Sequence, residues 1–296
     1  MSDPLTIDKR QLRRSFERAA ATYDAAAILQ HEVCERMLER LDYIKVAPTA
    51  ILDAGSGTGN ALSGLLRRFP GKLVIALDIA RAMLERARAR LRWWQSVPGL
   101  RPPLHALCGD LERLPVGNAK IGLIWSNLAL QWVNDLPATF KDMHRVLEPG
   151  GLLMFSTFGP DTLHELRRAY QGTDASTHVN RFIDMHDIGD MLVNTGFADP
   201  VMDMERITLT YDDVRNLMRD LKAIGAHNVT QGRPGALSGK SLLRKVEQNY
   251  ESARAEGKLP ATFEVIYGHA WKPLPRVSPS GRPVIDIKVR APTVSG

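Results

Sequence analysis

The chain has 296 residues, 44% apolar and 24% charged, a composition that supports an ordinary buried core without covalent staples. Its two cysteines, Cys34 and Cys108, lie far apart and lack metal-ligand spacing, so neither a disulfide framework nor a metal site is expected. The formal net charge of +6 suits either an acidic partner or a set of solvated helix faces.

Met1-Ser2-Asp3-Pro4-Leu5 has no charged leader followed by an apolar run, and no run of about eighteen apolar residues occurs, so a cytoplasmic protein with no membrane insertion is expected. Apolar residues at helical spacing (Leu12, Phe16, Ala19, then Ile28, Val33, Met37, Leu41) predict one or two helices over residues 8–41. After Pro48, short apolar runs alternate with helical stretches. Strands are predicted at 50–53, 73–78, 104–108, 121–125 and 152–157, and helices at 61–69, 82–91 and 136–147. Gly150-Gly151 is expected to turn the chain into the fifth strand. That alternation implies right-handed crossovers and a parallel sheet covered on both faces. Beyond Pro160 the reading is helical to Gly196, broken by a polar stretch at 171–180. A strand at 201–211, a helix at 212–223, a Gly- and Pro-containing loop at 225–239, a helix at 240–255 and a last strand at 262–267 follow.

The first strand runs into Asp53-Ala54-Gly55-Ser56-Gly57-Thr58-Gly59-Asn60. Gly55 permits a tight turn, Gly57 lets the backbone approach a ligand, and the next helix offers free N–H groups. The dinucleotide pattern G-x-G-x-x-G would need glycine at position 60, which is Asn60. Asp78 ends the second strand, where a carboxylate accepts hydrogen bonds from a ribose diol or caps the following helix. Asp110 follows the third strand and either meets a ligand or satisfies its own turn. Asn127 ends the fourth and lines the same cleft. Ile79 and Leu111, beside the two acids, join the candidate set. Gln131 and Trp132 serve the cleft or simply pack.

The D-x-G-x-G-x-G run resembles the first motif of class I S-adenosylmethionine methyltransferases. The resemblance implies an α/β Rossmann-like sheet, mostly parallel with an antiparallel last strand, with helices on both faces and an N-terminal helical cap. It also implies S-adenosyl-L-methionine as cofactor, with Asp53 near its amino-acid end, Gly55, Gly57 and Gly59 beside its methionine and ribose, and Asp110 on its adenine amino group. The implied division is a cap at 1–47, a methyltransferase domain at 48–271 with insertions around 160–196 and 212–255, and a disordered tail at 272–296.

Four further segments, 16–24 (FERAAATYD), 130–135 (LQWVND), 155–163 (FSTFGPDTL) and 182–187 (FIDMHD), resemble the malonyl-[acyl-carrier protein] O-methyltransferases of biotin synthesis over about residues 8–270. The implied reaction is attack of a malonyl-thioester carboxylate, carried on an acyl carrier protein, on the cofactor's methyl group. Such a carboxyl group has a pKa of roughly 3–4 and is already ionised at neutral pH, so no general base is needed. The resemblance supports Tyr23 as a cofactor-pocket residue. Arg181, whose guanidinium offers a bidentate fork, is the candidate clamp for the acceptor carboxylate. Phe16 either closes over the cofactor or packs in the core, and His186 faces the pocket or is an N-terminal-turn or core histidine. Basic docking sets for the carrier are Arg81, Arg86, Arg88, Arg90 and Arg92, or Arg215, Arg219 and Lys222.

The runs at 132–137, 159–167 and 259–267 also resemble a mitochondrial complex I assembly factor associated with arginine hydroxylation, which is the alternative reading. A cofactor-binding protein without catalysis is a third. Nucleic acid is not expected as a partner: Ser126-Asn127-Leu128-Ala129 follows the fourth strand, where an N-P-P-Y-like tetrapeptide would stand.

Overall fold

A computed structural model describes residues 6–91, 104–173, 180, 182–224 and 240–275. Three helices precede the sheet: α1 (Lys9–Ala19), α2 (Tyr23–Ala26) and α3 (Ile28–Asp42). The region expected to hold one or two helices thus breaks twice, around residues 20–22 and at Ala27. Asp8 starts α1 by accepting from the N–H groups of Arg10 and Gln11, which satisfies two donors that have no partner within the helix.

The sheet is built from β1 (Ala50–Ala54), β2 (Leu73–Asp78), β3 (Leu104–Cys108), β4 (Ile121–Ser126), β5 (Leu147–Phe158), β6 (Ala198–Tyr211) and β7 (Leu259–Trp271), in the order β3-β2-β1-β4-β5-β7-β6. Strands β1 to β5 pair in parallel, and β7 runs antiparallel between β5 and β6. This is the class I arrangement that the glycine motif implied.

The remaining helices are α4 (Leu62–Arg68), α5 (Arg81–Arg90), α6 (Leu136–Val146), α7 (His164–Tyr170), α8 (Met185–Asn194), α9 (Val214–Ala223) and α10 (Lys240–Glu251). The period-two alternation of each strand feeds two cores. Ile51, Leu123, Trp125, Leu152 and Met154 pack with α3, α4, α7 and α10 on one face. Leu52, Ile124, Leu153 and Phe155 pack with α6 and α8 on the other.

Gly150-Gly151 lies inside β5 rather than before it. The β4–β5 register jumps from Ile121↔Leu147 to Leu123↔Leu152, so the expected turn is a bulge that takes up the extra residues. The expected loop at 225–239, and all of the expected tail beyond residue 275, lie outside the described residues. Among the described residues no helix is long and apolar enough to cross a membrane.

Candidate functional site

Two adjoining cavities occur: one lies past the carboxyl ends of β1, β2, β3 and β4, beside the point where strand order reverses between β1 and β4, and the other lies past the end of β5. The smaller is a narrow cleft of about 80 Å³. Its floor carries Gly55, Gly57, Asp78, Ile79, Asp110, Leu111 and Asn127, and its roof carries Lys9, Phe16 and Tyr23. Eight of the sequence-derived candidates, Tyr23 included, therefore share one cleft.

The loop is tied to the end of β2. The N–H groups of Gly55 and Ser56 donate to the carbonyl of Leu77 at 2.8 and 2.9 Å. Asp78 accepts from Gly57 N–H at 2.9 Å with one carboxylate oxygen and from Ala80 N–H at 2.8 Å with the other. Both readings of Asp78 therefore meet in one side chain, which braces the start of α5 and borders the cleft. Burial pushes its pKa up to about 6, while the N–H groups of Ala80 and Gly57 hold it down.

The three loop glycines do different work. A Cβ on Gly55 would lie 2.3 Å from the Cβ of Ala129. Gly59 faces away from the cleft: its Cβ would meet the Cβ of Ala87 on α5 at 2.9 Å, so it serves close packing of loop and helix. Gly57, at φ +53°, has no atom within 4 Å of its Cβ position, and it borders the cleft.

Asp53 lies beneath the loop and lines neither cavity. It is 2% exposed, with one carboxylate oxygen lacking a hydrogen-bond partner. Burial, then the nearby Asp78, pushes its pKa up to about 8. Asp110 satisfies its own turn through Glu112 N–H at 3.0 Å and also pairs with Lys9 at 3.1 Å. The side chain of Asn127 accepts from Ser156 Oγ at 2.8 Å and donates to the carbonyl of Gln30 at 3.0 Å. Leu128 beside it is held at φ +47°, an uncommon conformation for a non-glycine residue.

The roof is pinned from several directions. Glu17 of α1 accepts from the N–H groups of Arg81 and Ala82 at 2.8 and 3.0 Å, capping α5 from another helix. Asp24 of α2 accepts from Thr58 Oγ1 at 2.5 Å and pairs with Arg90 at 2.7 Å. Phe16 meets Trp132 edge-to-face, with ring centroids 5.6 Å apart. Tyr23 is half-buried; that burial first, then the nearby Asp78 and Asp24 carboxylates, pushes its pKa upward and keeps the phenol protonated.

Sequence reasoning missed Lys9, Glu17 and Asp24. Each partner sits tens of residues away in the chain, and an isolated Lys or Glu on a helix gives no local sign of a long-range contact.

The larger cavity measures about 770 Å³, within the usual range for small-molecule sites. It lies between α1, α3, α7 and α9, walled by Leu29, Phe158, Leu163, Leu166, Phe182 and Phe263 and dotted with Gln30, Gln131 and Asn180. Trp132 lines both cavities. The 159–163 segment shapes its wall: Gly159 N–H donates to the carbonyl of Glu264 at 2.9 Å, and Asp161 N–H to its carboxylate at 2.6 Å. Buried Glu165 accepts from Thr262 Oγ1 at 2.5 Å.

Arg181 lies outside the described residues; its neighbours Asn180 and Phe182 line the larger cavity. His186 stands in the first turn of α8, exposed and 2.8 Å from the Asp184 carboxylate, so it faces neither the pocket nor the core. Among the described residues no cluster of three metal-ligating side chains occurs.

A methyltransferase-domain family model matches residues 52–155, the span from the glycine loop to β5. A relative from Gallionella capsiferriformans, named malonyl-[acyl-carrier protein] O-methyltransferase, is 58% identical over 94% of this chain and 96% of its own. The chain belongs to that family. A member from Laribacter hongkongensis is 52% identical over 99% of this chain and 100% of its own. The family name on these relatives favours the carboxyl methyltransferase reading over the arginine-hydroxylase alternative. In fold, the chain is similar to the YcgJ protein of Bacillus subtilis, with a TM-score of 0.58 at 15% identity over 82% of this chain and 99% of that one. It is also similar to a putative methyltransferase of Bacillus halodurans, with a TM-score of 0.57 at 16% identity over 80% and 97%.

Proposed function

We propose that this protein transfers the methyl group of S-adenosyl-L-methionine to the free carboxylate of a malonyl group carried on acyl carrier protein, as the names of its relatives suggest. The observation that carries the reading is the shared wall at Trp132, which joins the narrow cleft to the large apolar cavity. One cavity then holds the donor and the other the acceptor.

The donor set of the cleft suits that cofactor. The Asp78 carboxylate accepts from ribose hydroxyls, Asp110 from an adenine amino group, and Gly57 leaves room beside the backbone. Tyr23, Phe16 and Trp132 supply aromatic surface. When bound, the cofactor supplies an electrophilic methyl group on a sulfonium. The roof helices α1 and α2, pinned through Glu17 and Asp24, exclude water from that group. The unpaired amide oxygens of Gln30 and Asn180 leave acceptor capacity in the wall of the large cavity for a donor group of the acyl arm. We retain Arg181 as the proposed carboxylate clamp. Because the acceptor is already ionised, alignment and water exclusion carry the catalysis, and no side chain need remove a proton.

The test is incubation of the purified protein with methyl-labelled S-adenosylmethionine and malonyl-acyl carrier protein. A base-labile labelled methyl ester on the carrier is expected. Intact cofactor binding without transfer would overturn the reading.

A further inference from the structure

The exposed side of α1 carries Arg10, Arg14 and Arg18, spaced four residues apart and therefore on one ridge. The opposite side of the helix is buried through Leu12, Ser15 and Ala19. Arg18 reaches the rim of the large cavity, and Arg219 and Lys222 of α9 stand on the same rim.

These five cations differ from the other basic residues nearby. Lys9 pairs with Asp110 and Glu112, Arg13 approaches Glu17 at 3.8 Å, and Arg215 pairs with Glu247 at 2.5 Å. Arg18 meets only the backbone carbonyl of Arg14, and Arg219 only the side chain of Asn216. Among the described residues none of the five has a carboxylate partner. All five are exposed. The carboxylate on this stretch of α9, Asp220, is turned to Tyr211. Among the described residues, cations without a carboxylate partner thus stand on the rim of the large cavity (Arg18, Arg219 and Lys222) and on the α1 ridge that runs up to it (Arg10 and Arg14).

We propose that this rim, formed by α1 and α9, is the docking face for an acidic carrier protein, with the acyl arm entering the cavity beneath it. The proposal rests on the carboxyl-methylation reading above. It selects between the two basic sets in the sequence by position: Arg219 and Lys222 stand on the cavity rim, while in the α5 set Arg81 is paired with Glu85 and Arg90 with Asp24, the exposed Arg86 and Arg88 line neither cavity, and Arg92 lies outside the described residues. Apolar walls take the arm, and the ridge takes the carrier's acidic helix. Rim charges of this kind act on encounter and salt dependence rather than on chemistry.

The experiment compares the full-length protein with the double variant Arg14→Glu/Arg219→Glu and with Arg67→Glu/Lys72→Glu, which removes the same charge from an exposed site lining neither cavity. Binding of fluorescently labelled malonyl-acyl carrier protein is measured by anisotropy across salt concentrations, and methyl transfer is measured to the carrier and to a small malonyl thioester. Carrier binding should weaken by on the order of tenfold in the rim variant and hold in the control. Carrier KM should rise, with turnover of the small thioester and cofactor affinity unchanged.

Unchanged carrier binding in the rim variant would overturn the proposal. So would an equal loss with the small thioester, which would place these residues in the chemistry, or equal binding of an unrelated acidic protein. Carrier binding that weakens in the rim variant, without methyl transfer by the unaltered protein, would support the docking face and sink the methylation reading.

Discussion

Gly57 donates its backbone N–H to the carboxylate of Asp78 at 2.9 Å. The middle of the glycine loop and the acid at the end of β2 are one unit, and that unit borders the cleft.

The loop glycines separate binding from stability. Gly57→Val places a branched side chain toward open space, at a left-handed conformation costing roughly 1–2 kcal/mol. Cofactor binding should be lost while the fold survives. Gly59→Ala instead drives a methyl into Ala87 at 2.9 Å and should cost roughly 1–3 kcal/mol in stability. Calorimetric titration and thermal unfolding of both variants check this; retained binding in Gly57→Val would show that the loop is not the site.

Cofactor affinity should fall in acid. A hydroxyl donates better to an ionised carboxylate, and the pKa of Asp78 is pushed up to about 6. Affinity should be level above that value and decline below it, approaching about tenfold per pH unit. Asp78→Asn should flatten the profile and weaken binding at neutral pH by roughly 1.5–3 kcal/mol. A wild-type profile flat from pH 5 to 8 would exclude Asp78 as the acceptor.

Asp53 should set a slope in the opposite sense on stability. Its folded pKa of about 8 lies above the usual carboxylate value of about 3.9. Between these values the unfolded chain has released a proton that the folded chain keeps, so stability is greatest in acid and is lost as pH rises toward 8. Asp78 adds to the lower part of this window, and of these two acids only Asp53 acts much above 6. Melting temperatures at pH 6 and pH 8 should differ less in Asp53→Asn than in the unaltered protein. Parallel curves would assign the slope elsewhere.

The roof should control entry. Asp24 joins α2 to Thr58 and Arg90, and a partly exposed pair of this kind is worth about 0.2–1 kcal/mol. Asp24→Ala should speed cofactor association a few-fold in stopped-flow fluorescence. An unchanged rate would mean that the cofactor does not enter past the cap.

Much of this was legible because the signals are local. Five apolar runs, each stopped by turn residues, predict β1 to β5, and Asp78, Asp110 and Asn127 stand where those runs end. The antiparallel place of β7 was not local; it followed from the resemblance, because strand order depends on pairings such as Ser156↔Tyr267 across more than a hundred residues. The bulge at Gly150 reads as a turn because both need the same glycine conformation. Asp53 and Gly59 belong to the motif yet stand outside the cleft wall, one buried below the loop and the other packed on α5. Glu17 and Asp24 stand in the 16–24 segment that carries the resemblance, but their contacts, like those of Lys9, exist only once α1 and α2 lie over the sheet.

The most direct test is the intact mass of malonyl-acyl carrier protein after reaction with this protein and S-adenosylmethionine, beside acetyl-acyl carrier protein, which lacks the free carboxylate. A gain of one methyl group on the malonyl carrier alone, abolished by Gly57→Val, is the predicted result. An unchanged malonyl carrier, or equal methylation of the acetyl carrier, would contradict it.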